Sequence, residues 1–245
     1  MVYLNCCKVV ANNEPFNELL CTIAARNGHL ACLMYAYENG CPLNKWTCSY
    51  AAENGHLNCL MYAHEKGCPW DKETCEYAAE NGHLNCLMYA HLNGCPWNKA
   101  TCKYAAQNGQ LACLQYAHQN ECPWDKDTCT LAAKNGHLDC LKYAHQNGCP
   151  WDELTCRAAA KNGHLECFMY ACNNGCSSDW RFDDVIDTLA GKNTPDNQLC
   201  NICYSNHIKI RILPCKHAVC CGLCFKTIKT RKSAQCVEQQ FKIVK

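Results

Sequence analysis

The chain has 245 residues, 18% of them charged, with a formal net charge of +1 and 28 cysteines. This balance excludes both a disordered chain and a polyelectrolyte. No apolar run approaches the ~18 residues of a membrane helix, and the start MVYLNCCKVVANNEPF lacks the basic flank and apolar core of a secretory leader, so the expectation is a soluble, intracellular, cytoplasmic protein with no membrane partner.

So many cysteines in a long chain without an export signal need an origin other than a disulfide scaffold. Internal repetition supplies it. Cys41, Cys68, Cys95, Cys122, Cys149 and Cys176 stand 27 residues apart, and the same period runs from Cys21 to Cys156 and from Cys32 to Cys167, accounting for 18 cysteines. The unit reads C-P-W-[DN]-K-x-T-C-x-x-A-A-x-N-G-H-L-x-C-L-x-Y-A-H-x-N-G and is clearest at 68–94. Six copies run from a divergent one at 14–40 to a last one at 149–175.

In the copy at 68–94, Asp71 stands as a helix N-cap, Cys75, Ala78 and Ala79 form an i, i+3, i+4 apolar stripe, and Gly82 supplies a left-handed end, predicting a helix A of about ten residues. Leu84, Leu87, Ala90 and His91 keep helical spacing up to Gly94, which predicts an antiparallel helix B. Neither helix can bury its stripe alone, so the units must stack into a solenoid cored by Ala, Leu, Cys and Tyr. Helices ~8–10 Å apart hold equivalent cysteines beyond the ~7 Å Cα limit of a disulfide, so the ladder cysteines read as buried thiols. The histidines His64 to His145 and His29 to His164, and Trp70, Trp97, Trp124 and Trp151, read as packing residues at turns and junctions.

The segment T-C-x-x-A-A-x-N-G-H-L-x-C-L resembles the helical part of ankyrin repeats, and the C-P-W-[DN] junction is similar to the short ankyrin-type repeats of large DNA viruses of protists; together these cover about residues 14–180. The resemblance implies an ankyrin-like helical-pair solenoid, a concave side lined by helix A and, for a viral protein, a host cytoplasm. A unit of 27 residues against about 33 leaves too little chain for the usual β-hairpin finger.

Residues that vary within a repeat are not needed to hold the stack, so they are the candidates for binding. On helix A the variable positions i, i+3 and i+7 run Trp46, Ser49, Glu53; Glu73, Glu76, Glu80; Ala100, Lys103, Gln107; Asp127, Thr130, Lys134; and Leu154, Arg157, Lys161. The strip passes from acidic to basic, and Glu53, Glu73, Glu76, Glu80, Lys103, Lys134, Arg157 and Lys161 are the candidates to orient a protein substrate of matching charge. A merely solvated helix surface is the competing reading.

The period breaks at Ser177. Asp183 to Leu189 reads as a short capping helix and Gly191 to Asn197 as a linker, dividing the chain into a solenoid at 1–182, a cap and linker at 183–197, and a second domain at 198–245. Residues 200–245 hold nine Lys/Arg against one acidic residue, net +8, whereas 1–199 hold 14 against 21, net −7. The second domain contains Cys200-x2-Cys203, Cys215-x-His217, Cys221-x2-Cys224 and Cys236, a spacing that lets paired thiolates reach one tetrahedral Zn2+. So short a segment with few large apolar side chains needs metal to fold.

The ligand order resembles a RING finger, and CNIC…ILPCKHAVCCGLC is similar to the C-terminal RINGs of inhibitor-of-apoptosis proteins, which are ubiquitin ligases. The resemblance implies a small α+β domain with two zinc ions in a cross-brace. Site one is then Cys200, Cys203, Cys221 and Cys224, and site two includes Cys215, His217 and Cys236, with Cys220 as a spare or alternative ligand. It also implies that Ile202, Leu213, Pro214 and Phe225 or Ile228 touch the charged ubiquitin-conjugating enzyme (E2), and that the apolar tail Phe241 to Val244 forms a homodimer. The family ends in C-P-x-C and a basic residue, but this chain has Cys236-Val237-Glu238-Gln239-Gln240. Site two then takes Glu238, keeps a water or stays empty, and Gln240 stands where such RINGs hold ubiquitin with Arg or Lys.

The leading expectation is a RING-type ubiquitin ligase whose repeats recruit the substrate and whose zinc module recruits E2; no catalytic nucleophile is needed, because the reacting thioester belongs to E2. The alternative is a non-catalytic scaffold or decoy with a degenerate RING. The basic run Lys226 to Lys232 lacks stacking aromatics and a recognition helix, which argues against nucleic acid.

Overall fold

The computed structural model describes residues 19–176. The chain divides into two units, Met1–Ser177 and Ser178–Lys245, and the described residues all belong to the first. They form twelve helices in six pairs. The A helices are α1 (Leu19–Arg26), α3 (Lys45–Glu53), α5 (Lys72–Glu80), α7 (Lys99–Gln107), α9 (Lys126–Lys134) and α11 (Glu153–Asn162). The B helices are α2 (Leu30–Glu38), α4 (Leu57–Glu65), α6 (Leu84–Leu92), α8 (Leu111–Gln119), α10 (Leu138–Gln146) and α12 (Leu165–Asn173). The 27-residue period and the antiparallel pairing are as read from the sequence, although α5 has nine residues rather than ten. No strand occurs among the described residues, and the junctions between pairs carry no β-hairpin finger.

From α3 onward the A helices start on a side-chain cap, and helices of both kinds end on a left-handed turn. The side chains of Asn44, Asp71, Asn98, Asp125 and Asp152 accept from the backbone N–H two residues on, at 2.7–3.0 Å, satisfying a donor that the helix itself leaves open. At the other end the Asn-Gly pair divides the work. Asn54 Nδ2 donates to Tyr50 O at 2.9 Å, while Gly55 turns left-handed at φ +74° so that His56 N–H can reach back to Ala51 O at 2.8 Å. Helix B closes the same way: Gly67 turns, and Cys68 N–H bonds Ala63 O at 3.0 Å.

The core is built from small side chains. Helix A packs closely on helix A of the next unit and B less closely on B, which curves the stack toward the A side. Ala51 and Ala52 of α3, with Thr47 and Cys48, have no exposed surface, and the equivalents in each later unit are buried likewise. Leu33, Leu60, Leu87, Leu114 and Leu141 are the largest fully buried residues, each stabilising by roughly 1.5–3 kcal/mol. All 18 ladder cysteines are buried, and none of them is in a disulfide. Burial pushes the thiols of Cys59, Cys86, Cys113 and Cys167 up to about 11, so at neutral pH they are inert. The junction thiols also bond between units: Cys68 Sγ donates to Asn44 O at 3.0 Å and Cys95 Sγ to Asp71 O at 3.2 Å.

A second ladder runs along the B side. The His64 ring stacks on Trp70 of the next unit (3.8 Å between centroids, 13° between planes), Tyr89 meets both edge-on, and His64 Nδ1 lies 3.0 Å from the Tyr89 hydroxyl. The bracket recurs at His91, Trp97, Tyr116; His118, Trp124, Tyr143; and His145, Trp151, Tyr170. In the first unit Tyr37 stands in place of the histidine. It meets Tyr62 edge-on at 6.1 Å, and the buried Tyr62 hydroxyl consequently has no partner. The other histidines seal the turns: a Cβ on Gly55 would lie 2.6 Å from the His83 ring, so glycine there serves both the left-handed turn and the approach of the next unit.

One turn departs from the rule. Glu121 adopts φ +63° where the other units have glycine. Left-handed backbone costs a residue with a Cβ more than the entropy that glycine loses, so Glu121→Gly is expected to raise stability by about 0.5–1 kcal/mol in chemical denaturation.

Candidate interaction face and zinc module

Four rows of helix A residues, each repeating at 27, form the side toward which the stack curves. The first row is Leu19, Trp46, Glu73, Ala100, Asp127, Leu154; the second Thr22, Ser49, Glu76, Lys103, Thr130, Arg157; the third Ile23, Tyr50, Tyr77, Tyr104, Leu131, Ala158; the fourth Arg26, Glu53, Glu80, Gln107, Lys134, Lys161. The sequence-read strip comprises rows one, two and four. Row three went unread, because Tyr50, Tyr77 and Tyr104 hide in an unspecified position of the repeat; the change along that row from Ile through Tyr to Leu and Ala was the signal.

The rows differ in what they touch. Glu53 and Glu80 are half-buried, while Lys134, Arg157 and Lys161 are exposed. Some of these charges already have intramolecular partners: Glu73 receives Lys45 Nζ at 3.4 Å, and Lys103 lies 3.7 Å from Asp127. Lys45 also bonds Asp71 at 3.3 Å, and Lys99 and Lys126 reach Asp125 and Asp152 at 2.8 Å, so an N-terminal lysine of one unit repeatedly holds the N-cap of the next. These pairs are screened by solvent and hold the stack only weakly. Trp46 stacks on Tyr50 at 5.7 Å with 24° between planes, and Lys45 Nζ lies 4.6 Å from the Trp46 ring.

Row two corrects the expectation of a uniformly solvated strip. It faces the neighbouring helix A, where hydroxyls join the units: Thr22 to Thr47 at 3.3 Å, Ser49 to Thr74 at 3.3 Å, and Thr130 to Thr155 at 3.2 Å. Glu76 breaks the series. It is only 7% exposed, its Oε1 has no hydrogen-bond partner, and neither has the Thr101 Oγ1 across from it. Desolvation holds the Glu76 carboxyl above the usual range, partly offset by Lys72 Nζ 3.9 Å away. Lys103 occupies the next row-two position, and there Thr128 Oγ1 is also without a partner. The reason is spacing: helices packed through alanine leave room between them for a hydroxyl pair but not for a hydrated carboxylate.

The expected ligands Cys200, Cys203, Cys215, His217, Cys221, Cys224 and Cys236 lie outside the described residues, as do Ile202, Leu213, Pro214, Phe225 and Ile228 and the expected cap and linker. Among the described residues no group of three or more His, Cys, Asp or Glu side chains is placed to hold a metal ion. No helix among them is long and apolar enough to cross a membrane.

Comparison with known proteins agrees with both halves. A family model of the C3HC4-type zinc finger, the RING finger, matches residues 196–238. In fold the chain is similar to the ankyrin-repeat domain of human ASB11, with a TM-score of 0.59 and 18% identity over 74% of this chain and 93% of that one. No curated protein matches it in sequence. The chain thus joins an ankyrin-type helical repeat stack to a C-terminal RING-type zinc finger.

Because the folded Glu76 carboxyl keeps its proton to higher pH than an unfolded one, the stack loses stability as pH rises from the ordinary Glu range through the raised folded value. Glu76→Ser, which copies Ser49 and gives Thr101 a hydroxyl partner, should remove that loss and raise stability at neutral pH by about 1 kcal/mol, or about 2–4 °C in thermal denaturation.

Proposed function

We propose that the protein is a RING-type ubiquitin ligase: the repeat stack binds a protein substrate on its A-helix face, and the zinc module binds charged E2. The observation that carries this reading is the RING match at 196–238, which spans every candidate ligand from Cys200 to Cys236. The donor set suits zinc, since thiolates and an imidazole are the ligands this ion prefers in closed structural sites. Cys200, Cys203, Cys221 and Cys224 would complete one tetrahedral set, and Cys215, His217 and Cys236 would supply three donors of a second; bound zinc holds the module folded and takes no part in the transfer.

Such a ligase works by positioning. Ile202, with Leu213, Pro214 and Phe225 or Ile228, would hold E2 so that its thioester meets a lysine of the substrate on the repeats, converting a bimolecular attack into a local one. The same module would bring ubiquitin, and the tail Phe241 to Val244 would pair two copies. Buried thiols with no disulfide among the described residues suit a reducing intracellular compartment.

A second reading rests on Gln239 and Gln240. The RING match ends at residue 238, just before Gln239 takes the eighth ligand position. A module with an incomplete second site and no basic residue at 240 would act as a non-catalytic scaffold or decoy that still binds E2 or substrate.

Discharge of ubiquitin from a panel of charged E2 enzymes separates the two. The full chain should accelerate discharge with at least one E2, and Ile202→Ala should cut the acceleration about tenfold, equivalent to ~1.4 kcal/mol of E2 binding; a chain inert toward every E2 supports the decoy. For the repeats, reversing Glu53, Glu73 and Glu80 to Lys should abolish substrate capture in pull-down while helicity is retained, and unchanged capture would contradict the charge-oriented face.

A further inference from the structure

The last repeat carries a thiol pair that no other repeat has. Cys172 occupies the position that His64, His91, His118 and His145 hold in the four preceding units, where the ring stacks on the tryptophan of the following unit. The next tryptophan position of the repeat is Ser178, and at 172 the ring is replaced by a sulfur. That sulfur lies 3.9 Å from the Sγ of Cys156, which belongs to helix α11 while Cys172 belongs to α12. Among the described residues Cys172 is the one cysteine that is not buried, and Cys156 has no exposed surface. Cys176, the third thiol nearby, is engaged as in the other units, its Sγ donating to Asp152 O at 3.0 Å.

We propose that Cys156 and Cys172 form a peroxide-sensitive dithiol, with Cys172 as the attacking thiolate and Cys156 as the resolving thiol, which oxidation closes into a disulfide stapling α11 to α12. The step balances. The Cys172 thiolate attacks hydrogen peroxide, an S–O bond forms as the O–O bond breaks, and the departing hydroxide takes a proton to leave as water. Cys156 then attacks the sulfenic sulfur, the S–S bond forms as the S–O bond breaks, and the second hydroxide leaves as water with the proton that Cys156 gives up. Two thiols are oxidised by two electrons, and one peroxide becomes two waters.

The environment divides these roles between the two sulfurs. Cys172 is accessible whereas Cys156 is enclosed, so peroxide meets Cys172 first, and its interaction with Cys156 holds the Cys172 thiol below its ordinary value. Hydrogen bonding to Cys172 and Cys176, with burial added, pushes Cys156 up, so it stays protonated and unreactive until its neighbour is oxidised. Conversion of Cys172 to the sulfenic acid removes one of the interactions that raise Cys156, and the resolving step closes the sulfurs from 3.9 Å to bonding distance. Among the described residues the last unit has a repeat on one side only, so a staple there ties the two helices at that end of the described stack. This inference is independent of the ligase reading.

The test uses the full zinc-loaded chain treated with a few equivalents of hydrogen peroxide, quenched, denatured in N-ethylmaleimide and mapped by mass spectrometry. The expected product is a peptide pair joined through Cys156 and Cys172, two hydrogens lighter than the sum of the reduced peptides and released by dithiothreitol, with the other ladder cysteines alkylated. Oxidation should also slow proteolysis within residues 153–176 several-fold. Cys172→His, which restores the ladder residue, and Cys172→Ser should both lose the cross-link and the protection while keeping the helical circular dichroism of the parent. Oxidation of Cys172 to the sulfinic acid without a cross-link, or a disulfide joining either cysteine to a different thiol, would overturn the proposal.

Discussion

The close approach of one helix A to the next governs the rest of the molecule. Contacts made through Ala51, Ala52 and their equivalents, with a cysteine and a threonine beside them, leave no space for a larger or hydrated group between the helices. A unit one residue longer or shorter would set alanine against the wrong neighbour, so the 27-residue period holds along the whole described stack. The wider spacing on the B side is filled by the histidine, tryptophan and tyrosine bracket, and the difference between the two sides bends the solenoid toward helix A.

That constraint also sorts the variable residues. Rows one, three and four can vary because their side chains end in solvent or against one another, as Trp46 does on Tyr50. Row two can vary only at a cost, since it lies where the helices meet. Serine and threonine fit there as hydroxyl pairs across the interface, whereas Glu76 leaves its own oxygen and that of Thr101 without partners. A buried, incompletely satisfied carboxylate in an otherwise repetitive interface marks the middle of the stack as the place where the regular solution has been set aside.

The same amino acid has three chemistries along this chain. In the repeats cysteine is a small apolar filler whose thiol, pushed up by burial, donates to a neighbouring carbonyl. In the last repeat, loss of the stacking histidine places a half-buried thiol beside a buried one. In the segment matched by the RING-type zinc-finger model, cysteines recur in pairs separated by two residues. Spacing and burial, not abundance, separate these roles.

Much of the fold could be read directly from the sequence, because a strict period exposes each position repeatedly: the N-cap at Asp71, the turn at Gly82, the reduced cysteine ladders and the junction role of Trp70 all follow from local rules that recur at the same offset. The RING-type zinc finger was legible for a similar reason, since two-residue gaps between cysteines are a local pattern. What the sequence could not show is how deeply a variable residue sits between units. Glu76 reads as one more acidic residue on a helix face, and Tyr50, Tyr77 and Tyr104 read as filler. Only the stacking distance between A helices turns Glu76 inward and brings the tyrosines into a row, and only the packing of α11 on α12 sets Cys172 beside Cys156. Helical capping and metal-pair spacing act within a few residues and are written in order along the chain; burial and proximity between units arise from packing, which the order of residues specifies only after the chain has folded.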